Sequence, residues 1–272
     1  MAFVKWFSEI GIEDVPTVGG KNASLGEMYR NLTAEGVLVP NGFAVTTGAY
    51  DAVLKHTGAL EKLHAQLDAF DPDNVAQLQS VGKACREIVY GCELPESVKS
   101  EILDGYAALK KEYGDDVSLA VRSSATAEDS PEASFAGQND TYLNITSDEA
   151  LLDAYKRCLA SNFTDRSLHY KFDNHFDYFD VKLCVVVMKM VRSDLGASGV
   201  MFSIDTETGF RDVVYITGAY ALGENVVQGT IDPDSIDGHK PTFDKGHRAV
   251  LKRRQRHVHG RADPAPFQAP SV

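Results

Sequence analysis

The sequence predicts an α+β protein, and three features predict it. Apolar residues recur at helical spacing in the first half, most clearly as Val75, Leu78, Val81, Cys85, Ile88 and Val89. A nearly continuous apolar run, Val181–Val191, is too unbroken for a half-exposed strand and belongs inside a sheet. Gly199–Ile204 and Asp212–Ile216 read as strands beside it. The expected layout is a helix-rich first half and a sheet-rich second part.

Taken in order, Val4–Phe7 is a short strand, followed by a turn-rich stretch through Pro16 and Gly19-Gly20. Lys21–Leu32 is a helix with Ala23, Leu25, Met28 and Leu32 on one broad face. Pro40-Asn41-Gly42 makes a turn into a strand at Phe43–Val45, and helix follows. Asp71-Pro72 supplies an N-cap and a first-turn proline for the helix carrying Val75 to Val89. Pro95 opens another helix with Val98, Ile102, Leu103, Tyr106 and Leu109. Ser118–Val121 is a strand feeding a polar loop, and Thr146 with Glu149 forms a capping box before Leu151, Leu152 and Tyr155.

Composition narrows the classes. With 272 residues, 43% hydrophobic and 24% charged, the chain is an ordinary soluble globular protein rather than a disordered, collagenous or coiled-coil one. The longest apolar run, Leu183–Met188, falls well short of the roughly 20 residues of a membrane helix. The segment Met1–Trp6 shows no secretory pattern. Cys85, Cys92, Cys158 and Cys184 have neither metal nor redox spacing, so they read as reduced thiols in a cytoplasmic protein. The net charge of −12 argues against nucleic-acid binding; an anionic ligand would need a few well-placed cations working against the global field. Residues 246–272 reverse the balance, with six basic side chains and one acid. Apolar periodicity ends at Leu251, so 252–272 reads as a basic, Pro/His-rich unstructured tail; a shifted reading frame would account for it.

Four stretches could carry chemistry. Gly19-Gly20-Lys21-Asn22-Ala23-Ser24 could bring backbone N–H groups, a helix N-terminus and the Lys21 ammonium to an anion. It is not a Walker A loop, because Val15 stands where the first glycine should be, and a plain glycine turn with a solvated lysine is the commoner outcome. Arg122, followed by Ser123-Ser124-Ala125-Thr126-Ala127-Glu128-Asp129-Ser130, could hold phosphate with its planar fork, or could pair with Glu128 or Asp129. Ser134-Phe135-Ala136-Gly137-Gln138 continues that loop with small residues able to cover a phosphate chain. Met188-Lys189-Met190-Val191 could present backbone groups to a purine, or be a buried strand end. Gly223–Gly229 offers Glu224, Asn225 and Gln228, while Asp205 and Glu207 are hard-oxygen metal candidates or turn residues. Arg192 and Asp194 could be ligands or an ion pair.

Together these motifs resemble a known family. Val18–Met28 with Val39–Phe43, Val121–Ser130 with Ala133–Gln138, Met190–Asp194 with Ser198–Ser203, and Leu222–Gly229 occur in the order found at the N-terminus of the phosphoenolpyruvate synthase family. The likeness runs from Val4 to Leu251, which sets 1–251 as a domain, C-terminally incomplete. Pyruvate phosphate dikinases and rifampin phosphotransferases share this nucleotide domain; the Ser123–Asp129 loop looks more like the synthase and rifampin enzymes.

The resemblance implies an ATP-grasp-like domain with ATP between two lobes. Lys21 would contact the phosphates, Arg122 would lie by the β- and γ-phosphates, Ser134, Phe135, Ala136, Gly137 and Gln138 would cover them, and Lys189, Met190 and Val191 would read adenine. It implies Mg²⁺ as ATP's companion, with metal ligands not identified. It also implies the conversion of ATP, pyruvate and water to AMP, phosphoenolpyruvate and phosphate. No phosphohistidine motif and no pyruvate-binding barrel lie in these residues, so the resemblance implies no catalytic residue here. The expectation is a nucleotide-binding part that does not complete the reaction alone.

Overall fold

A computed structural model describes residues 2–68, 70–126, 129–130, 133–134, 140–220, 222–227, 229–243, 245 and 250–252. It divides into two compact units, Met1–Met190 and Val191–Val272. Mixed helix and antiparallel sheet make it α+β.

The first unit runs β1 Val4–Trp6, α1 Val15–Val18, α2 Gly20–Leu32, β2 Gly42–Val45, α3 Thr47–His56, α4 Ala59–Leu67, α5 Val75–Tyr90, α6 Glu96–Tyr113, β3 Leu119–Ala125, β4 Asp129–Ser130, β5 Ala133–Ser134, β6 Thr141–Ile145, α7 Asp148–Ala160, α8 Asp165–Asp173 and β7 Leu183–Lys189. Five of these strands form one sheet in the order β1-β2-β7-β3-β6, antiparallel throughout. The apolar run is its central strand, as its composition requires. Both edges of β7 are occupied, Val45 opposite Val185 on one side and Val121 opposite Val187 on the other.

Side chains alternate across a strand, so the sheet has two distinct faces. Phe43, Val45, Leu119, Val121, Ala125, Leu183, Val185 and Val187 point into the main core against the apolar stripes of α3 to α8. The opposite face carries Ala120, Arg122, Ser124, Cys184 and Val186. There the Cys184 thiol donates to the Thr17 carbonyl at 3.4 Å, which places α1 on this face. The N-terminus is tied down by Glu101 Oε2, which accepts from the Phe3 and Val4 N–H groups at 2.7 and 3.0 Å.

Several expectations are corrected. Helix α2 turns Gly20, Asn22, Ala23 and Gly26 inward, while Met28 and Leu32 are exposed. Only small residues fit here, because a methyl group on Gly26 would sit 2.6 Å from the Ile10 carbonyl oxygen. The α5 cap is Asn74, whose Oδ1 accepts from Ala76 and Gln77; Asp71 instead closes the preceding turn. The α7 cap is Ser147, not Thr146. β3 extends to Ala125, because Arg122, Ser123 and Ser124 still pair with β7. All four cysteines are buried and free.

The second unit contains β8 Ser198–Phe202, β9 Val213–Ala219, α9 Gly223–Val227, β10 Asp234–His239, α10 Lys240–Phe243 and β11 Val250–Lys252. The sheet order is β11-β10-β9-β8. The sequence suggested strands added to the β7 sheet; β8 and β9 instead pair in a sheet of their own. Lys252, the first residue of the expected tail, pairs with Ser235. Among the described residues, no apolar side chain beyond Met190 is fully buried. No helix among them is long and apolar enough to cross a membrane.

Candidate functional site

The site begins at the break between α1 and α2. Gly19 has φ +80°, open to glycine and strained for other residues. Its Cα is pressed against β3: a Cβ there would lie 2.4 Å from Ser124 Oγ and 2.6 Å from the Ser124 carbonyl oxygen. Three residues on, the Asn22 N–H donates to Ser124 Oγ at 3.4 Å. The first turn of α2, carrying Lys21, is thereby fixed to the outer face of β3.

Arg122 shares that face with Ser124, two residues along the strand. Its Nε is buried and has no hydrogen-bond partner among the described residues. Burial holds its guanidinium below the ordinary arginine range, and no acid among the described residues offsets this. A guanidinium nevertheless keeps its proton in a protein. The alternative partners Glu128 and Asp129 have side chains outside the described residues.

The charge of Lys21 is felt at the Cys158 thiol of α7. Burial pushes the Cys158 thiol up, the Asp140 carboxylate pushes it further, and the charge of Lys21 draws it back. Asp140 immediately precedes Thr141, the residue opposite Arg122 in the β3–β6 ladder. Two other arginines of this unit carry acidic partners of their own. In the surface hollow lined by Lys83, Arg86, Tyr90, Asp140, Tyr142 and Arg157, Arg86 meets Asp165 at 2.8 Å and Arg157 meets Asp153 at 2.7 Å.

The remaining expected residues fall as follows. Ser134 lies in β5, opposite Asp129; Phe135, Ala136, Gly137 and Gln138 lie outside the described residues. The Lys189 N–H is donated to the Asn41 carbonyl and the Met190 N–H to that of Ser118, at 3.1 and 2.9 Å. Those two donors are spent inside the fold, and the Lys189 ammonium sits 4.3 Å from the Tyr113 ring centre. Val191 is exposed and begins the second unit. In that unit Arg192 and Asp194 form a bidentate ion pair at 2.7 and 2.8 Å. Asp205 braces its own turn through Glu207 N–H and Thr208 Oγ1. Asn225 accepts from Thr230, and Gln228 lies outside the described residues. No group of three or more His, Cys, Asp or Glu side chains among the described residues could hold a metal ion.

Sequence reasoning missed Asn22 and Ser124 as parts of this site. Asn22 is fully buried, its Nδ2 donates to the Val18 carbonyl at 2.7 Å, and its Oδ1 has no partner among the described residues. A polar residue at the inward spacing of an otherwise small-residue helix face was the available signal.

Arg122, half-buried and without a counter-charge among the described residues, lies on the same β3 face as the glycine elbow and helix start of this α+β unit, an arrangement chemically suited to an anion. More narrowly, the chain belongs to the family of the pyruvate phosphate dikinase AMP/ATP-binding domain, whose family model matches residues 15–263. That match runs past Leu251, where the motif likeness ends. The chain is 48% identical over 258 residues to a phosphoenolpyruvate synthase of Synechocystis sp., covering 93% of this chain and 32% of that protein. It is 49% identical to the enzyme of Pseudomonas aeruginosa over 251 residues and 46% identical to that of Escherichia coli over 250, covering 92% of this chain and 32% and 31% of theirs. The chain thus spans about a third of the length of these relatives.

Proposed function

We propose that this chain is the ATP-binding portion of a phosphoenolpyruvate synthase, with an ATP-grasp type of nucleotide domain. The reading rests on family membership and on one structural observation: the half-buried guanidinium of Arg122, its Nε buried and unpaired among the described residues, on the β3 face whose Ser124 meets the Gly19–Asn22 elbow. A triphosphate would supply the missing counter-charge. Arg122 would take phosphate oxygens through its terminal NH₂ groups, and Lys21 with the N–H groups of the first turn of α2 that Ser124 does not engage would hold the same chain. Ser134–Gln138 would cover it, and Lys189–Val191 would meet adenine through the groups the sheet does not use.

Phosphoryl transfer asks mainly for positioning and charge neutralisation, which is what these residues offer. Mg²⁺ adds neutralisation of the triphosphate when it arrives with the nucleotide, and no described residue is assigned to it. The larger reaction, ATP with pyruvate and water to AMP, phosphoenolpyruvate and phosphate, would need polypeptide beyond the third matched here. Four buried free cysteines favour a reducing, cytoplasmic setting.

Calorimetric titration with ATP and Mg²⁺ tests the reading. Binding by the parent chain, weakened by about 1.5–3 kcal/mol in Lys21→Ala or Arg122→Ala, is expected for charge-assisted contacts. Parent-like affinity in both variants would remove these residues from the site. Pyruvate-dependent AMP formation by the purified chain would refute its dependence on the missing two-thirds. Antibiotic-dependent ATP consumption would favour a rifampin phosphotransferase-like reading instead.

A further inference from the structure

Three buried polar side-chain atoms have no hydrogen-bond partner among the described residues: Asn22 Oδ1, Arg122 Nε and Tyr155 Oη. Two of the three flank the same residue. Asn22 is tied through its backbone to Ser124 Oγ, and Arg122 lies two positions from Ser124 on the same face of β3. One is an acceptor without a donor, the other a donor without an acceptor. Leaving either buried and unmade is unfavourable, because each has given up its water without gaining a partner.

We infer that Asn22 is a positioning residue for Arg122: with a polyphosphate bound, Asn22 Oδ1 accepts the Arg122 Nε–H and leaves both terminal NH₂ groups of the guanidinium for the ligand. This rests on the proposed phosphate role of Arg122. The orientation of the amide is settled by chemistry. The Val18 carbonyl can only accept, so the Asn22 nitrogen must face it and the oxygen must face away. A neutral amide suits this duty better than a carboxylate. It fixes the plane of the guanidinium without cancelling the charge the anion needs. No acid is within ion-pairing distance of Arg122 among the described residues, in contrast to Arg86 and Arg157.

The test is a double-mutant cycle read by calorimetry with inorganic tripolyphosphate as the probe. Arg122→Lys keeps a cation but has no Nε–H at that position. Asn22→Ala should weaken tripolyphosphate binding about tenfold in the parent and leave it unchanged in the Arg122→Lys background. Equal losses in both backgrounds, or none in the parent, would overturn the inference while leaving the phosphate site standing. Parent-like binding by Arg122→Ala would instead remove the phosphate reading itself. Should Asn22→Ala fail to fold, the parent protein suffices: tripolyphosphate should slow solvent exchange of the Arg122 Nε–H in ¹⁵N spectra, and exchange at the rate of an exposed arginine would overturn the inference.

Discussion

Gly19 and Ser124, more than 100 residues apart in sequence, are in backbone contact, and that contact joins the helix start to the strand that carries Arg122. There is no room for a side chain at Gly19, and its φ of +80° would strain one in any case. Gly19→Ala should therefore destabilise the protein by more than about 2 kcal/mol, combining backbone strain with overpacking. Gly58 has φ +61° but open space around its missing Cβ, so Gly58→Ala should cost only about 1 kcal/mol. Urea unfolding of the two variants makes the comparison; equal losses would show that Ser124 sets no limit at Gly19.

Arg122 carries a cation that no described residue compensates. Removing it should stabilise the protein while abolishing the proposed anion binding, the trade expected where function keeps a charge uncompensated. Arg122→Met preserves length and apolar packing, and should raise the midpoint of thermal unfolding without ligand. A lower midpoint would mean that the guanidinium is held by interactions that favour the fold.

Lys171 offers a pH signature. It is fully buried, and its ammonium donates to Asn162 O and Oδ1 at 3.0 and 2.8 Å and to Tyr178 O at 3.4 Å, all neutral acceptors. Burial brings it down to about 7, with the charge of Asp177 opposing. Between that value and about 10.4 the unfolded chain holds a proton the folded one has released, so stability rises with pH there, by at most about 1.4 kcal/mol per unit. Burial pushes Cys85 up to about 11 and raises Cys158 and Cys184 as well. Those three thiols ionise in the unfolded chain from about pH 8.5, and their combined effect reverses the slope. Stability by urea unfolding should peak near pH 8, and Lys171→Met should abolish the rise between pH 7 and 8. An unchanged profile in that variant would refute the assignment.

Gly105 sets helix propensity against packing. Alanine there would gain about 1 kcal/mol of propensity inside α6. Its methyl group, however, would lie 2.6 Å from the Phe43 ring, which is itself held edge-on by Trp6. Overpacking of this kind costs about 1–3 kcal/mol, so Gly105→Ala should destabilise on balance. A stabilised variant in denaturant titration would show that the ring can yield.

The parts of the fold legible in sequence were those written in local patterns. The α5 stripe from Leu78 to Val89 and the β7 run declare themselves by periodicity and composition. Pairing is not local. Nothing in Gly199–Ile204 or Asp212–Ile216 says that they avoid β7, because that outcome depends on β2 and β3 filling both its edges. Arg122 looked like a strand end because three polar residues in a row read as loop; in the fold Arg122 and Ser124 share one face of β3 while Ser123 turns to the other and donates its hydroxyl to the Asp140 carbonyl at 3.2 Å. Lys21 and Arg122 were visible as cation-bearing motifs, whereas Asn22 was hidden because its value comes from Ser124, reached only through the tertiary fold.

The strand order also governs how the chain must be made. β2 leaves the ribosome about 140 residues before its partner β7, an interval of roughly seven to thirty seconds at ordinary translation rates. Throughout that time Phe43 and Val45 have no central strand to dock against, and α3 to α6 are helices without a sheet to cover. Productive folding therefore waits for Leu183–Lys189 to emerge, and nascent chains halted before that point are the ones expected to engage chaperones.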